Sequence, residues 1–186
     1  MTLVDVQREL SDLVRPLRRS EYDQLVELGV FEDEPIELLE GVLVRMSPEG
    51  TPHAWIIQEL NRLLTRGLSD HLRLRVGHPF AASGWSEPEP DLAVVPVDDY
   101  RRDHPVRAVL VIEVSHSSLH KDLGVKADLY AKSVVPEYWV VDVARGVVHR
   151  HLQPSPEGYG EVAIFGQGAL LDACGVIVDV SKLFGE

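Results

Sequence analysis

The chain has 186 residues, with 18 lysines and arginines against 30 aspartates and glutamates, for a formal net charge of −12. At 45% hydrophobic and 26% charged residues it is an ordinary globular composition for one core, which excludes a disordered chain. The acidic balance argues against a broad basic surface that coats nucleic acid, but not against an enzyme that gathers carboxylates around a metal.

Met1 to Leu10 carries Asp5, Arg8 and Glu9 and is read as no signal peptide. The longest apolar run, Ala108 to Ile112, is strand-length and falls far short of the ~20 residues of a membrane span. The lone cysteine, Cys174, excludes an internal disulfide and a cysteine-based zinc cage. The expectation is a cytoplasmic protein with no membrane partner.

In chain order, Arg19 to Leu28 reads as a short helix, with Ser20 as N-cap and Gly29 as stop. Ile36 to Met46 reads as a hairpin turning at Glu40-Gly41, with Val42, Val44 and Met46 on a half-buried face. Thr51-Pro52 resembles an N-cap followed by a first-turn proline. The helix behind it runs to about Leu68, and Ile56, Leu60, Leu63 and Leu64 form its apolar stripe. Leu72 to Val76 alternates as a strand with one wet face. Asp91 to Val95 and Ala108 to Val114 are nearly continuous apolar runs, as in central strands covered on both sides. A helix from Leu119 to Ser133, capped by Ser117 or Ser118, precedes strands at Tyr138 to Val143 and Val147 to Leu152. Val162 to Phe165 adds another strand, and Ser181 to Phe184 a last helical turn. The two Pro/Gly-rich patches, Pro79 to Pro90 and Gln153 to Gly160, read as loops. The expected fold is α/β (α+β), a single domain with a mixed sheet flanked by helices.

The informative residues are charges inside apolar strands. Glu113 is the one charge between Ala108 and Val114, and Asp91 opens the preceding run after Pro90. An unpaired buried charge costs several kcal/mol, so each needs a partner. If the two runs are neighbours, the carboxylates converge and repel unless a cation lies between them, and magnesium suits such a pair. Separate pairing with arginines at strand ends is the alternative. On the Leu119 to Ser133 helix, Leu119, Leu123, Lys126 and Tyr130 share one stripe. That puts Lys126 toward the sheet, its apolar stem lying along the surface. A surface pair with Asp122 is the other reading.

Pro90-Asp91 followed by Glu113-Val114-Ser115 resembles the PD-(D/E)XK nuclease signature. With Ser117-Ser118, Asp122, Lys126, Tyr130 and Pro136-Glu137-Tyr138-Trp139-Val140-Val141-Asp142, the set is similar to the Uma-type restriction endonuclease family within that superfamily. The similarity runs upstream through Glu37-Leu38-Leu39-Glu40-Gly41, Met46-Ser47-Pro48 and His53, and is strongest over Glu37 to Asp142. It implies a restriction-endonuclease-like fold and a Mg²⁺-dependent endonuclease acting on DNA, with Mn²⁺ able to substitute. A homodimer is the expected assembly, since two chains could pool their few basic patches across a two-fold axis. Asp91 and Glu113 are the implied metal ligands and catalytic carboxylates, joined by the Val114 carbonyl. The superfamily's usual lysine position, two residues after the acid, holds Ser115 here, and the resemblance implies that Lys126 replaces it. Glu37 matches the family's upstream glutamate, with Glu40 as its rival; His53, Ser115 and Asp122 are supporting candidates. The alternative is a non-catalytic nucleic-acid-binding or assembly module that retains the nuclease fold.

Other signals point to ordinary structural roles. His149 and His151 share a strand face without a third ligand. His116 and His120 read as capping or surface residues, and Asp142 as a turn hydrogen bonder. Glu87 and Glu89 are expected in a solvent loop, and Trp55, Trp85 and Trp139 as packing residues. Cys174 has no nucleophile context. DNA-contacting patches are sought at Arg62 with Arg66, Arg73 with Arg75, and Lys121 with Lys132.

Overall fold

The computed structural model describes residues 13–48 and 50–185; the leader reading of Met1 to Leu10 lies outside them. The elements in order are α1 (Arg19–Glu27), β1 (Ile36–Leu39), β2 (Val42–Arg45), α2 (Thr51–Gly67), β3 (Leu72–Val76), β4 (Leu92–Pro96) and β5 (Leu110–Ser115). A helical segment follows in three parts: α3 (Leu119–Lys121), a π-helical stretch (Asp122–Lys126) and α4 (Ala127–Lys132). Then come β6 (Glu137–Asp142), β7 (Val147–Ser155), β8 (Gly158–Phe165), β9 (Leu170–Ala173), β10 (Val176–Asp179) and α5 (Val180–Leu183).

Strands β3 to β8 form one six-stranded sheet in sequence order. All neighbours are antiparallel except β5 and β6, which run parallel because the helical segment crosses between them. The sheet is thus mixed and flanked by helices, as expected. Apolar side chains of Leu92, Val94, Leu110, Ile112, Trp139 and Val141 pack one face against Ile56, Leu60 and Leu64 of α2 and against the β9–β10 hairpin and α5. On the other face Ala93, Val95, Val111, Tyr138 and Val140 pack against Ala127, Leu129 and Tyr130 of α4, with Phe80 and Leu39. Among the described residues no helix is long and apolar enough to cross a membrane.

Several local expectations shift. Arg18, not Ser20, is the N-cap of α1, and the Glu21 carboxylate accepts the Arg18 backbone N–H at 2.9 Å. Gly50 caps α2, so Thr51 and Pro52 occupy its first two positions. Val42 and Leu43 are exposed; burial falls on β1 instead. The β1–β2 turn has positive φ at both Glu40 and Gly41, the primed geometry of a two-residue hairpin. A Cβ on Gly41 would lie 2.4 Å from the Pro16 side chain, so only glycine fits there. The Gln153 to Gly160 patch is no loop: β7 and β8 extend through it to pair Ser155 with Gly158. The β9–β10 hairpin is an addition to the expected elements.

The Pro79 to Pro90 segment is a loop, though a largely buried one. Glu87 bridges to Leu38 of β1 through the backbone, and its side chain is enclosed instead of meeting solvent. The carboxylate lies 3.3 Å from Arg19 and 4.0 Å from His104, and burial pushes its pKa up to about 6. Of the three tryptophans only Trp139 is a core residue, while Trp55 and Trp85 are 47% and 42% exposed.

Candidate functional site

Register builds the site. In the β4–β5 ladder Leu92 pairs with Ile112, so one residue further Asp91 stands opposite Glu113 at the end of the antiparallel pair. Both have the parity of Ala93 and Val111, whose side chains face α4. The Asp91 carboxylate accepts the Val114 backbone N–H at 2.6 Å, locking the two strand ends together. His53, on the buried face of α2, places Nε2 3.3 Å from Asp91 Oδ2.

Lys126 reaches in from the helical segment with its side chain 4% exposed. Its ammonium is 2.9 Å from Glu113 Oε1 and 3.0 Å from Glu37 Oε2. The separate-arginine alternative and the surface pairing with Asp122 both give way to this internal network. Tyr130 donates its hydroxyl to the same Glu113 oxygen at 2.8 Å, so Glu113 is held from two sides. Burial raises the Glu113 pKa, while Lys126 opposes that rise and Asp91, Asp122 and Glu37 reinforce it. Burial alone lowers Lys126, but the carboxylates of Glu113, Glu37 and Asp122 outweigh it and hold the lysine above its ordinary value. Lys126 is therefore an ammonium ion at neutral pH.

The π-helical stretch explains how this face becomes so polar. Its wider turn brings Asp122 to the interior beside Lys126 and Tyr130, leaving Leu119 and Leu123 half-buried. The buried Tyr138 hydroxyl donates to the Asp122 carbonyl at 2.9 Å. Ser115 and Ser118 both donate to Asp122 Oδ2, so the serine at the superfamily's lysine position fixes the helix instead of reaching the pocket with a charge.

Of the two upstream glutamates, Glu37 belongs to the site and Glu40 does not. Glu37 is buried and accepts from Lys121 Nζ at 2.7 Å and from the Glu89 backbone N–H at 3.3 Å; Glu40 is exposed in its turn. Asp91, Glu113, Val114, Lys126, Glu37, His53 and Asp122 line one cavity of about 320 Å³. Glu89, His116 and Lys121 also line it, three residues not counted among the site candidates from sequence. No sequence signal marks Lys121, because residues five apart share a face only where the helix widens to a π turn. The Asp91 and Glu113 contacts engage Oδ2 and Oε1, leaving Oδ1 and Oε2 outside those hydrogen bonds. Among the described residues no three His, Cys, Asp or Glu side chains make a closed metal cage.

The discounted signals behave differently from one another. His149 and His151 are buried on the α4 face of β7, where His151 packs on Tyr138 and Tyr159 and burial lowers both imidazoles. Asp142 accepts the Arg145 N–H at 3.0 Å, the turn bond expected of it. Burial raises the Cys174 thiol to about 11, an inert cysteine. Arg62 is taken up by Glu59, Arg75 lies over the Tyr100 ring, and Lys121 serves Glu37 instead of a patch with Lys132.

A family profile described as "Putative restriction endonuclease", Uma2, matches residues 19–181. The fold is also that of a crystal structure titled as "a putative nuclease belonging to DUF820 from Anabaena variabilis", with a TM-score of 0.63 at 16% identity over 80% of this chain and 89% of that one. No curated protein matches. With nearly the whole chain inside the profile, from α1 to the start of α5, the protein belongs to the Uma2 family.

Proposed function

We propose that the protein is a metal-dependent endonuclease that hydrolyses phosphodiester bonds in DNA, with Asp91, Glu113 and Lys126 as its catalytic residues. The observation that carries this reading is the buried Lys126 ammonium between Glu113 and Glu37, in the same cavity as Asp91. Burying Glu37, Glu113 and Lys126 together is expensive, and such clusters concentrate where chemistry is done.

The donor set fits a hard divalent cation. Two carboxylates and a main-chain carbonyl suit Mg²⁺, or Mn²⁺ in its place, since Mg²⁺ keeps several waters and needs no all-protein cage. Asp91, Glu113 and the Val114 carbonyl are the residues that would hold it. When bound, the ion supplies Lewis-acid polarisation of the scissile phosphate and a more acidic water.

The remaining roles belong to the chain itself. His53 and the Val114 N–H orient the Asp91 carboxylate, and the Tyr130 hydroxyl orients Glu113. Lys126, kept charged by its carboxylate neighbours, orients the attacking water and offsets negative charge gathering on the phosphate. Glu37 holds Lys126 and Lys121 in place, and Lys121 at 23% side-chain exposure offers a second positive charge at the cavity rim. Asp122, clamped by Ser115 and Ser118, fixes the π-helical stretch that delivers Lys126. The low content of basic residues is offset if two chains associate about a two-fold axis and pool their phosphate contacts.

The test is cleavage of DNA in Mg²⁺ against EDTA. Wild-type protein is expected to cut only with the metal, and Asp91→Ala and Glu113→Ala to abolish cutting. Unchanged activity in either variant overturns the assignment.

A further inference from the structure

The candidate active site opens sideways. His116 lines both its cavity and a broader groove of about 790 Å³, which runs past the start of α2 to the β6–β7 turn and the C-terminal α5. Two side chains in that groove have no role in the core. Trp55 lies off the buried stripe of α2 (His53, Ile56, Leu60, Leu64) and is 47% exposed. The Arg145 side chain is 73% exposed, and its ion pair is a long one, with Nε 4.0 Å from Asp142 Oδ2. Leu183 and Phe184 add apolar lining.

Charge separates this groove from the pocket beside it. The pocket is lined by Glu37, Glu89, Asp91, Glu113 and Asp122, whereas the groove has no carboxylate among its described lining residues. In a chain of net charge −12, that leaves an aromatic face and a guanidinium on a surface continuous with the phosphodiester pocket. Indole faces stack on bases without regard to sequence, and arginine pairs with phosphate through its planar fork. A base still stacked inside a duplex has no face to offer the indole.

We infer that this groove is a subsite for an unpaired nucleotide flanking the scissile phosphodiester of a DNA strand, its base stacked on Trp55 and its phosphate against Arg145. The inference rests on the nuclease reading above and deepens it by naming the form of substrate. His116 stands at the threshold between the two compartments, where the strand passes from one to the other.

The test titrates a fluorescein-labelled ten-nucleotide oligodeoxythymidylate, followed by anisotropy in Ca²⁺, into wild type, Trp55→Ala, Trp55→Phe and Arg145→Ala. Mn²⁺ binding, followed by electron paramagnetic resonance, reports the carboxylate pocket separately. Both substituted side chains are exposed, so the folded state survives their truncation. Trp55→Ala is expected to weaken oligonucleotide binding about tenfold, and Trp55→Phe to retain most of it. Arg145→Ala is expected to flatten the slope of log affinity against log salt by about 0.7, one phosphate contact on a single strand. Mn²⁺ binding stays at the wild-type level in all three. Wild-type affinity in both alanine variants overturns the groove assignment and leaves the pocket reading standing, as does Mn²⁺ binding by a wild type that takes up no oligonucleotide. A wild type that binds neither probe overturns both. Equal binding of a blunt duplex, insensitive to Trp55→Ala, overturns the requirement for an unpaired base.

Discussion

The two faces of the central sheet are made from the same strands and bury opposite chemistry. Toward α2, β4, β5 and β6 present Leu92, Val94, Leu110, Ile112, Trp139 and Val141, all at or below 1% exposure. Toward the π-helical stretch and α4, the alternate positions include Glu113, Ser115 and Asp142, with His149 and His151 on β7. Strand parity alone makes this division, one residue in two going to each side. The dry face supplies stability through burial and close packing. The polar face gives some of that up, and is tolerated because its charges are paired: Lys126 with Glu113 and Glu37, Asp122 with two serines.

The division is sharpest when broken from the dry side. Leu60→Ala on α2 removes a fully buried side chain and is expected to cost about 3–5 kcal/mol in urea unfolding, with activity per folded molecule unchanged. A matching loss of specific activity would show that the faces are not independent. From the polar side, Lys126→Met is expected to lower Mg²⁺-dependent cleavage by about 10²–10³ fold, the range for removing one charge-stabilising donor. Because it also strands two carboxylates, the Lys126→Met, Glu113→Gln double variant is expected to recover stability relative to Lys126→Met without recovering activity. Calorimetry and initial rates on the pair check both halves.

Smaller effects separate enzyme from inert module. Mg²⁺ that binds only the folded state at 100 times its dissociation constant stabilises by about 2.7 kcal/mol, read as a rise in Tm. That rise is expected in wild type and absent in Asp91→Asn; no rise in a folded wild type favours the non-catalytic module. Glu87, away from the site, gives the weakest signal. Its native pKa of about 6 stands above the ordinary carboxylate value, so its ionisation opposes folding. Stability is highest below pH 4.5 as far as this group is concerned and falls as pH rises through 6, by about 2 kcal/mol at 1.36 kcal/mol per unit. Glu87→Gln is expected to flatten that part of the stability profile measured by urea denaturation.

Much of this layout was readable from residue spacing. The apolar runs, one opened by Asp91 and the other holding Glu113 near its end, mark two central strands, and a lysine on an apolar helical stripe marks the inward turn of Lys126. The π-helical stretch was not readable, because an extra residue in a turn leaves no mark in composition. Its effect is to rotate Asp122 inward where an α-helical count favours Leu123. Glu87 runs against its local sequence: flanking prolines suggest solvent, whereas the backbone pairing with Leu38 draws the loop against β1. Trp55 misled in the other direction, since aromatic residues on a helix suggest packing and only its exposure reveals a groove. The β9–β10 hairpin escaped because each strand has four residues and its turn puts Cys174, not asparagine or glycine, at positive φ before Gly175.

The most direct measurement is Mn²⁺ binding by electron paramagnetic resonance across wild type, Asp91→Asn, Glu113→Gln and Lys126→Met. Wild type is expected to take up Mn²⁺ and both carboxylate variants to lose it, while Lys126→Met, relieved of the ammonium that competes for Glu113, binds at least as tightly and still fails to cut DNA. Mn²⁺ binding that is indifferent to Asp91 and Glu113 would contradict a shared metal pocket at the ends of β4 and β5.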